Sequence, residues 1–128
     1  MILLLDTSTM ICRLTFIDDN WRQNYEWESN RNLAKGLLGY IQEKLNSVNK
    51  TWSDITAIGV FEGPGSFTGL RIGITVANTI ADAQNISIVS GRGDNWQDEV
   101  INKLNSGKNE KNVLPFYGSE AHITKPRK

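Results

Sequence analysis

Apolar and polar positions follow two rhythms along the chain. Residues 2–5 are an unbroken apolar run, the pattern of a strand buried on both faces. Asp6-Thr7-Ser8-Thr9 ends that run with side chains that bond backbone in turns. Segments 11–17 and 21–27 flank Asp18-Asp19-Asn20, which predicts a hairpin. Asn30 is a candidate N-cap for a first helix. In it Leu33, Leu37, Leu38, Ile41, Leu45 and Val48 recur at helical spacing as a core face. Asn49-Lys50-Thr51 breaks that helix, and residues 55–61 predict a strand. Glu62-Gly63-Pro64-Gly65 predicts a sharp loop, 66–84 a second helix and 86–89 a short strand. Asp94 is a candidate cap for a third helix that ends near Asn105. The order β-β-β-α-β-α-β-α predicts an α/β fold: a mixed five-stranded sheet with helices on both faces.

The second helix is apolar around an unusually wide arc. At about 100° per residue, Thr68, Arg71, Thr75, Asn78, Thr79 and Asp82 share one narrow polar arc. Ile72, Val76, Ile80 and Ala83 lie to one side, near Gly69 and Gly73. Phe67, Leu70, Ile74, Ala77 and Ala81 lie to the other. A helix resting on a sheet requires an apolar stripe of about 100° or slightly more, and this one has roughly twice that. It is therefore expected to be covered on two sides. Phe67, Leu70, Ile74 and Ala77 are expected to meet another protein chain, with Arg71 and Ala81 on the same surface. The alternative is internal cover by the third helix or the tail. Gly69 and Gly73, four apart, are expected to admit a close neighbour. On the first helix Gly36 and Gly39 lie off the core face, beside Tyr40, and would permit a close helix contact there too.

The loop before the second helix is the candidate for chemistry. Gly63 and Gly65 permit backbone that a β-carbon forbids, Pro64 stiffens the turn, and Ser66 can cap the helix. A helix start of this kind favours anions. No lysine follows the glycines as in a phosphate-binding loop, so the stretch reads first as a tight structural turn.

Composition narrows the class. The 128 residues are 39% hydrophobic and 22% charged, enough for one domain with a core. No stretch approaches the roughly 20 apolar residues that span a bilayer, which predicts a cytoplasmic protein without membrane contact. Cys12 stands alone, so it reads as a small buried residue, and with a single His122 zinc is not expected. No cofactor is expected. Residues 1–102 carry 8 Lys/Arg against 12 Asp/Glu, and residues 103–128 carry 6 against 2. Residues 1–105 thus read as the folded lobe and 106–128 as a linker and basic tail. Lys125, Arg127 and Lys128 are candidate RNA contacts.

The element order is that of a ribonuclease H-like lobe, the unit duplicated in the actin-like (ASKHA) superfamily. Gly63-Pro64-Gly65-Ser66-Phe67-Thr68-Gly69-Leu70-Arg71-Ile72-Gly73 resembles the signature of the TsaB (YeaZ) family, as does the opening Ile2-Leu3-Leu4-Leu5-Asp6-Thr7-Ser8-Thr9. Pro115-Phe116-Tyr117, followed by Ala121, is similar to that family's C-terminal end. The resemblance covers roughly residues 1–90 plus the tail, as a short form that passes from the first lobe directly to the C-terminal end. Asn30-Arg31-Asn32-Leu33 stands where family members often carry a histidine, and Glu62 departs from the pattern.

The resemblance implies a non-catalytic scaffold or activator in the making of threonylcarbamoyladenosine beside the tRNA anticodon. It implies a TsaD-like catalytic subunit as partner, bound through the first two helices of each protein. A TsaE-like ATPase would join the assembly, and tRNA would be engaged through the complex. A homodimer through the same helices is the other partnership open to the chain.

The catalytic alternative is a Mg-dependent nuclease. In ribonuclease H-like folds carboxylates at the ends of the first and fourth strands hold two metal ions. Here Asp6 and Glu62 occupy those ends, and Asp6, Thr7, Ser8 and Glu62 together are the candidates for a vestigial phosphate or metal site. Glu43, late in the first helix and expected on its exposed side, is the remaining carboxylate, and a fourth is not evident.

Overall fold

The computed structural model describes residues 1–116, so the candidate RNA contacts Lys125, Arg127 and Lys128 lie outside the described residues. Five strands form one mixed sheet: β1 (Ile2–Asp6), β2 (Ile11–Asp18), β3 (Trp21–Glu28), β4 (Ala57–Gly63) and β5 (Ser87–Arg92). Their spatial order is β3-β2-β1-β4-β5. The first three are antiparallel neighbours, while β4 and β5 run parallel to β1. Three α-helices connect and follow them: α1 (Leu33–Ser47), α2 (Phe67–Gln84) and α3 (Trp96–Asn105). The α/β architecture and element order are those expected from the sequence.

Alternation along β1 and β4 sets the layers. Leu4 and Gly59, partners in register, face α3, and a β-carbon on Gly59 would sit 2.1 Å from Val100 Cγ1. Leu3, Leu5, Ile58 and Val60 point to the opposite face, where α1 and α2 lie. α2 packs on β4, with β1 and β5 alongside, and also touches α1. Over β2 and β3 the gap to α1 is filled by aromatic rings. Trp27 stacks on Tyr40 at 4.8 Å between centroids, and Phe16 meets Tyr25 edge-on at 5.8 Å. Cys12 is fully buried, and burial together with the nearby Asp6 charge pushes its thiol up to about 12, which leaves it unreactive.

Two expected caps do not form. Asn30 opens a short 3-10 turn with φ +49°, and neither it nor Asn32 caps α1 with its side chain. α3 starts one residue after Asn95 rather than on Asp94, and has no side-chain cap. Ser66 does cap α2 as expected, accepting from Gly69 N at 3.2 Å.

The segment expected to be a linker is held on the lobe as far as residue 116. Glu110 N donates to Ile88 O (2.8 Å), and Val113 is buried. Asn78 clamps Val113 from both sides, its Nδ2 donating to the carbonyl (3.0 Å) and its Oδ1 accepting from the amide (2.9 Å). Phe116 N donates to Glu62 O (2.6 Å).

A charged knot fixes the start of this strap. Lys103 Nζ donates to Glu110 Oε2 (2.8 Å) and to Ser90 O (2.6 Å), while Ser90 N donates to Glu110 Oε1 (2.9 Å). Burial pushes the Glu110 carboxyl up, but the Lys103 and Ser90 hydrogen bonds and the Lys103 charge outweigh it and hold it below its ordinary value. A depressed folded-state value stabilises above the unfolded value and is lost as pH falls through the folded one. Glu110→Gln is therefore expected to cost about 1–3 kcal/mol at neutral pH. Chemical denaturation as a function of pH should show that gap closing under acid conditions. A gap independent of pH would refute the ionic account.

Candidate functional site

The two sequence motifs that looked most like chemistry are used against each other. The Asp6-Thr7-Ser8 turn docks onto the start of α2. Ser66 N donates to Ser8 O (2.9 Å), and Thr7 Oγ1 donates to Gly69 O (2.7 Å). A β-carbon on Gly65 would fall 2.5 Å from Ser8 Cβ, one on Gly69 2.2 Å from Thr7 O, and one on Gly73 2.0 Å from Thr7 Oγ1. The close neighbour that Gly69 and Gly73 admit is thus the chain's own first turn, not a partner helix. Gly63, at φ +135°, follows the same logic at the strap: its β-carbon would meet Phe116 O at 1.9 Å. The Gly63–Pro64 peptide is cis.

The candidate carboxylates are both engaged. Asp6 Oδ1 accepts from Ser8 N (2.9 Å) within its own turn. Glu62 pairs with Arg92 (3.3 Å) and lies 2.8 Å from Ser90 Oγ. Among the described residues no group of three His, Cys, Asp or Glu side chains is placed to hold a metal ion. This geometry lends no third ligand to the nuclease alternative.

The residues expected at a partner surface differ in exposure. Leu70, Ile74, Ala77 and Ala81 are buried against the sheet, at 0%, 2%, 0% and 3% exposure. This side of α2 lies over β4, whose Ile58 and Val60 present an apolar face to it. Gly36 is also used internally, since a β-carbon there would lie 2.9 Å from the Trp27 ring. Tyr40 is buried under Trp27 with its hydroxyl unpartnered, and burial foremost pushes that hydroxyl up to about 12. Gly39 is exposed with open space around it, and Arg71 and Phe67 are exposed.

The second apolar side of α2 faces α1, and α1 covers it incompletely. Ile80 is buried there, but Ile72 and Val76 are only half-buried. They form the floor of a groove of about 460 Å³ between the helices, lined by Ala34, Thr68, Arg71, Ile72, Thr75 and Val76. A hollow toward the helix C-termini is lined by Leu38, Trp52, Thr79, Ile80, Ala83 and Gln84. Leu38, expected in the core, stands 51% exposed on its rim. Toward the N-termini the hollow continues past Met10 and Arg31. The face thus has an apolar floor and small or hydroxylated walls, a shape that accepts a helix. Sequence reasoning gave the over-wide apolar arc correctly. Helical periodicity does not say which half of that arc meets the sheet, and here the half with Leu70 and Ile74 does.

Comparisons with known proteins bear on this same stretch. The sequence model of the family described as TsaD: tRNA N6-adenosine threonylcarbamoyltransferase matches residues 27–90, which hold both helices and the loop between. Among curated proteins, the tRNA threonylcarbamoyladenosine biosynthesis protein TsaB of Buchnera aphidicola is 34% identical over 85 residues, 66% of this chain and 38% of that protein. TsaB of Escherichia coli is 34% identical over 80 residues, 62% of this chain and 35% of that protein. A tRNA N6-adenosine threonylcarbamoyltransferase of Staphylococcus saprophyticus is 40% identical over 55 residues, 43% of this chain and 16% of that protein. The matched part of this chain thus spans well under half the length of these relatives. Among solved structures, YeaZ from Pseudomonas aeruginosa superposes with a TM-score of 0.67 at 30% identity, covering 71% of this chain and 43% of that one.

Proposed function

Because the chain belongs to the TsaB (YeaZ) branch of the TsaD family, we propose that it serves tRNA threonylcarbamoyladenosine biosynthesis as a non-catalytic subunit that docks on a TsaD-like catalytic partner. The groove between α1 and α2 carries this reading. Its floor is made of side chains that an isolated lobe leaves half-covered. Partner helices laid along it would bury Ile72 and Val76 and complete a helical bundle. The absence of chemistry in the reading has its own support: the Asp6 turn and the glycine loop bind each other, and Glu62 is paired with Arg92. The chain would reach tRNA through the catalytic subunit, holding that subunit in its active form.

The test is co-purification of this chain with the TsaD homologue encoded in the same genome, followed by light scattering. A heterodimer that survives dilution to micromolar concentration is expected. Two separate species under those conditions would sink the reading.

A further inference from the structure

A second groove runs along the other flank of α2. It is about 520 Å³ in volume and lies between that helix and the strap of residues 112–115. Arg71 and Thr75 border both grooves, so the outer ridge of α2 separates two channels of one continuous surface. The strap is fixed where it forms the wall. Asn78 bonds both backbone groups of Val113, Val113 is buried, and Phe116 is bonded to Glu62 O. With Val113 turned in and clamped, Leu114 is turned out and left 70% exposed above the groove. Leu114 and Leu38 are two large apolar side chains exposed on this side of the molecule, and they stand on opposite flanks of α2.

We propose that the strap is the second wall of the partner interface. The docked subunit straddles α2, with one helix in the α1–α2 groove and a second apolar segment between α2 and Leu114. This inference rests on the proposed docking of a TsaD-like subunit. Charge selects that occupant over a second copy of this chain. Among the described residues, those lining the two grooves include Arg71 and no carboxylate. The described residues of a second copy's grooves would bring another arginine to the centre and no acid to meet it, whereas a partner with Asp or Glu opposite Arg71 is complementary. A segment already held in place also loses little entropy when it is covered.

The experiment is isothermal titration of the full chain into the TsaD homologue of the same genome, using wild type, Val76→Asp, Leu114→Asp and Asn78→Ala. Leu114 is exposed, so its substitution is expected to leave the melting temperature unchanged while weakening binding about 10-fold or more. Asn78→Ala, which unclamps the strap but keeps Leu114, should weaken binding in the same direction. If Val76→Asp loses the partner while Leu114→Asp and Asn78→Ala bind as wild type does, the strap is not in the interface and the docking reading stands alone. If the wild type does not bind, both fall. A self-association of this chain that Leu114→Asp abolishes would overturn the choice of occupant.

Discussion

Ile74→Asp is expected to unfold the chain, while Val76→Asp, two residues further along the same helix, leaves it folded and removes its partner. Ile74 is 2% exposed on the sheet side of α2. An unpaired carboxylate there must either lose its hydration or take up a proton, at a cost of at least about 3–5 kcal/mol. A domain of this kind has only about 5–15 kcal/mol in total, and the lost packing of the isoleucine adds to the deficit. Val76 is half-buried at the floor of an open groove, where a carboxylate reaches water. Its cost to folding should stay within about 1 kcal/mol. Laid against an apolar partner helix, the same charge should weaken the complex by about 2 kcal/mol or more, roughly 30-fold. Circular dichroism melts and a binding titration separate the two effects. Equal destabilisation by both substitutions would contradict the assignment of the two faces.

Gly69→Ala should cost more than its single added carbon suggests. Alanine is the better helix former by about 1 kcal/mol, so on propensity alone the change would stabilise. The new β-carbon, however, would stand 2.2 Å from the Thr7 carbonyl oxygen, which is backbone and cannot swing aside. Relief requires the Asp6-Thr7-Ser8 turn to move off α2, breaking the Thr7 Oγ1 to Gly69 O and Ser66 N to Ser8 O bonds. A net loss of about 1–3 kcal/mol is expected, which lowers the melting temperature by about 5–15 °C. An unchanged or raised melting temperature would show that the two motifs are not locked as described.

Most of the architecture was legible because local rules and the global fold agree. The apolar run of β1, the hairpin at Asp19-Asn20 and the Ser66 cap each specify an element without reference to the rest. What the sequence could not tell depended on contacts between distant segments. Trp27 reaches across to Gly36 and Tyr40, so residues that look available on a helical wheel are covered by β3. Thr7 fills the notch of Gly69 and Gly73, so a small-residue pair suggestive of helix docking serves an intrachain lock. The polar run after Asn105 resembles a linker in composition, yet Asn109 and Glu110 spend their side chains on the backbone of β5. Asn78, placed in a polar arc by periodicity, shows its role only once Val113 lies opposite it. The need for a second cover was legible, because a helix with more than 200° of apolar surface needs two.

The most direct measurement is tRNA modification in a reconstituted mixture. The TsaD homologue of the same genome would be incubated with tRNA and threonylcarbamoyl-adenylate, with and without this chain, and threonylcarbamoyladenosine counted by mass spectrometry of the digested tRNA. The account predicts little product from either protein alone, robust product from the pair, and a return to background when Val76→Asp replaces the wild type. Product from this chain alone, or the same yield from the catalytic subunit whether or not this chain is present, would contradict it.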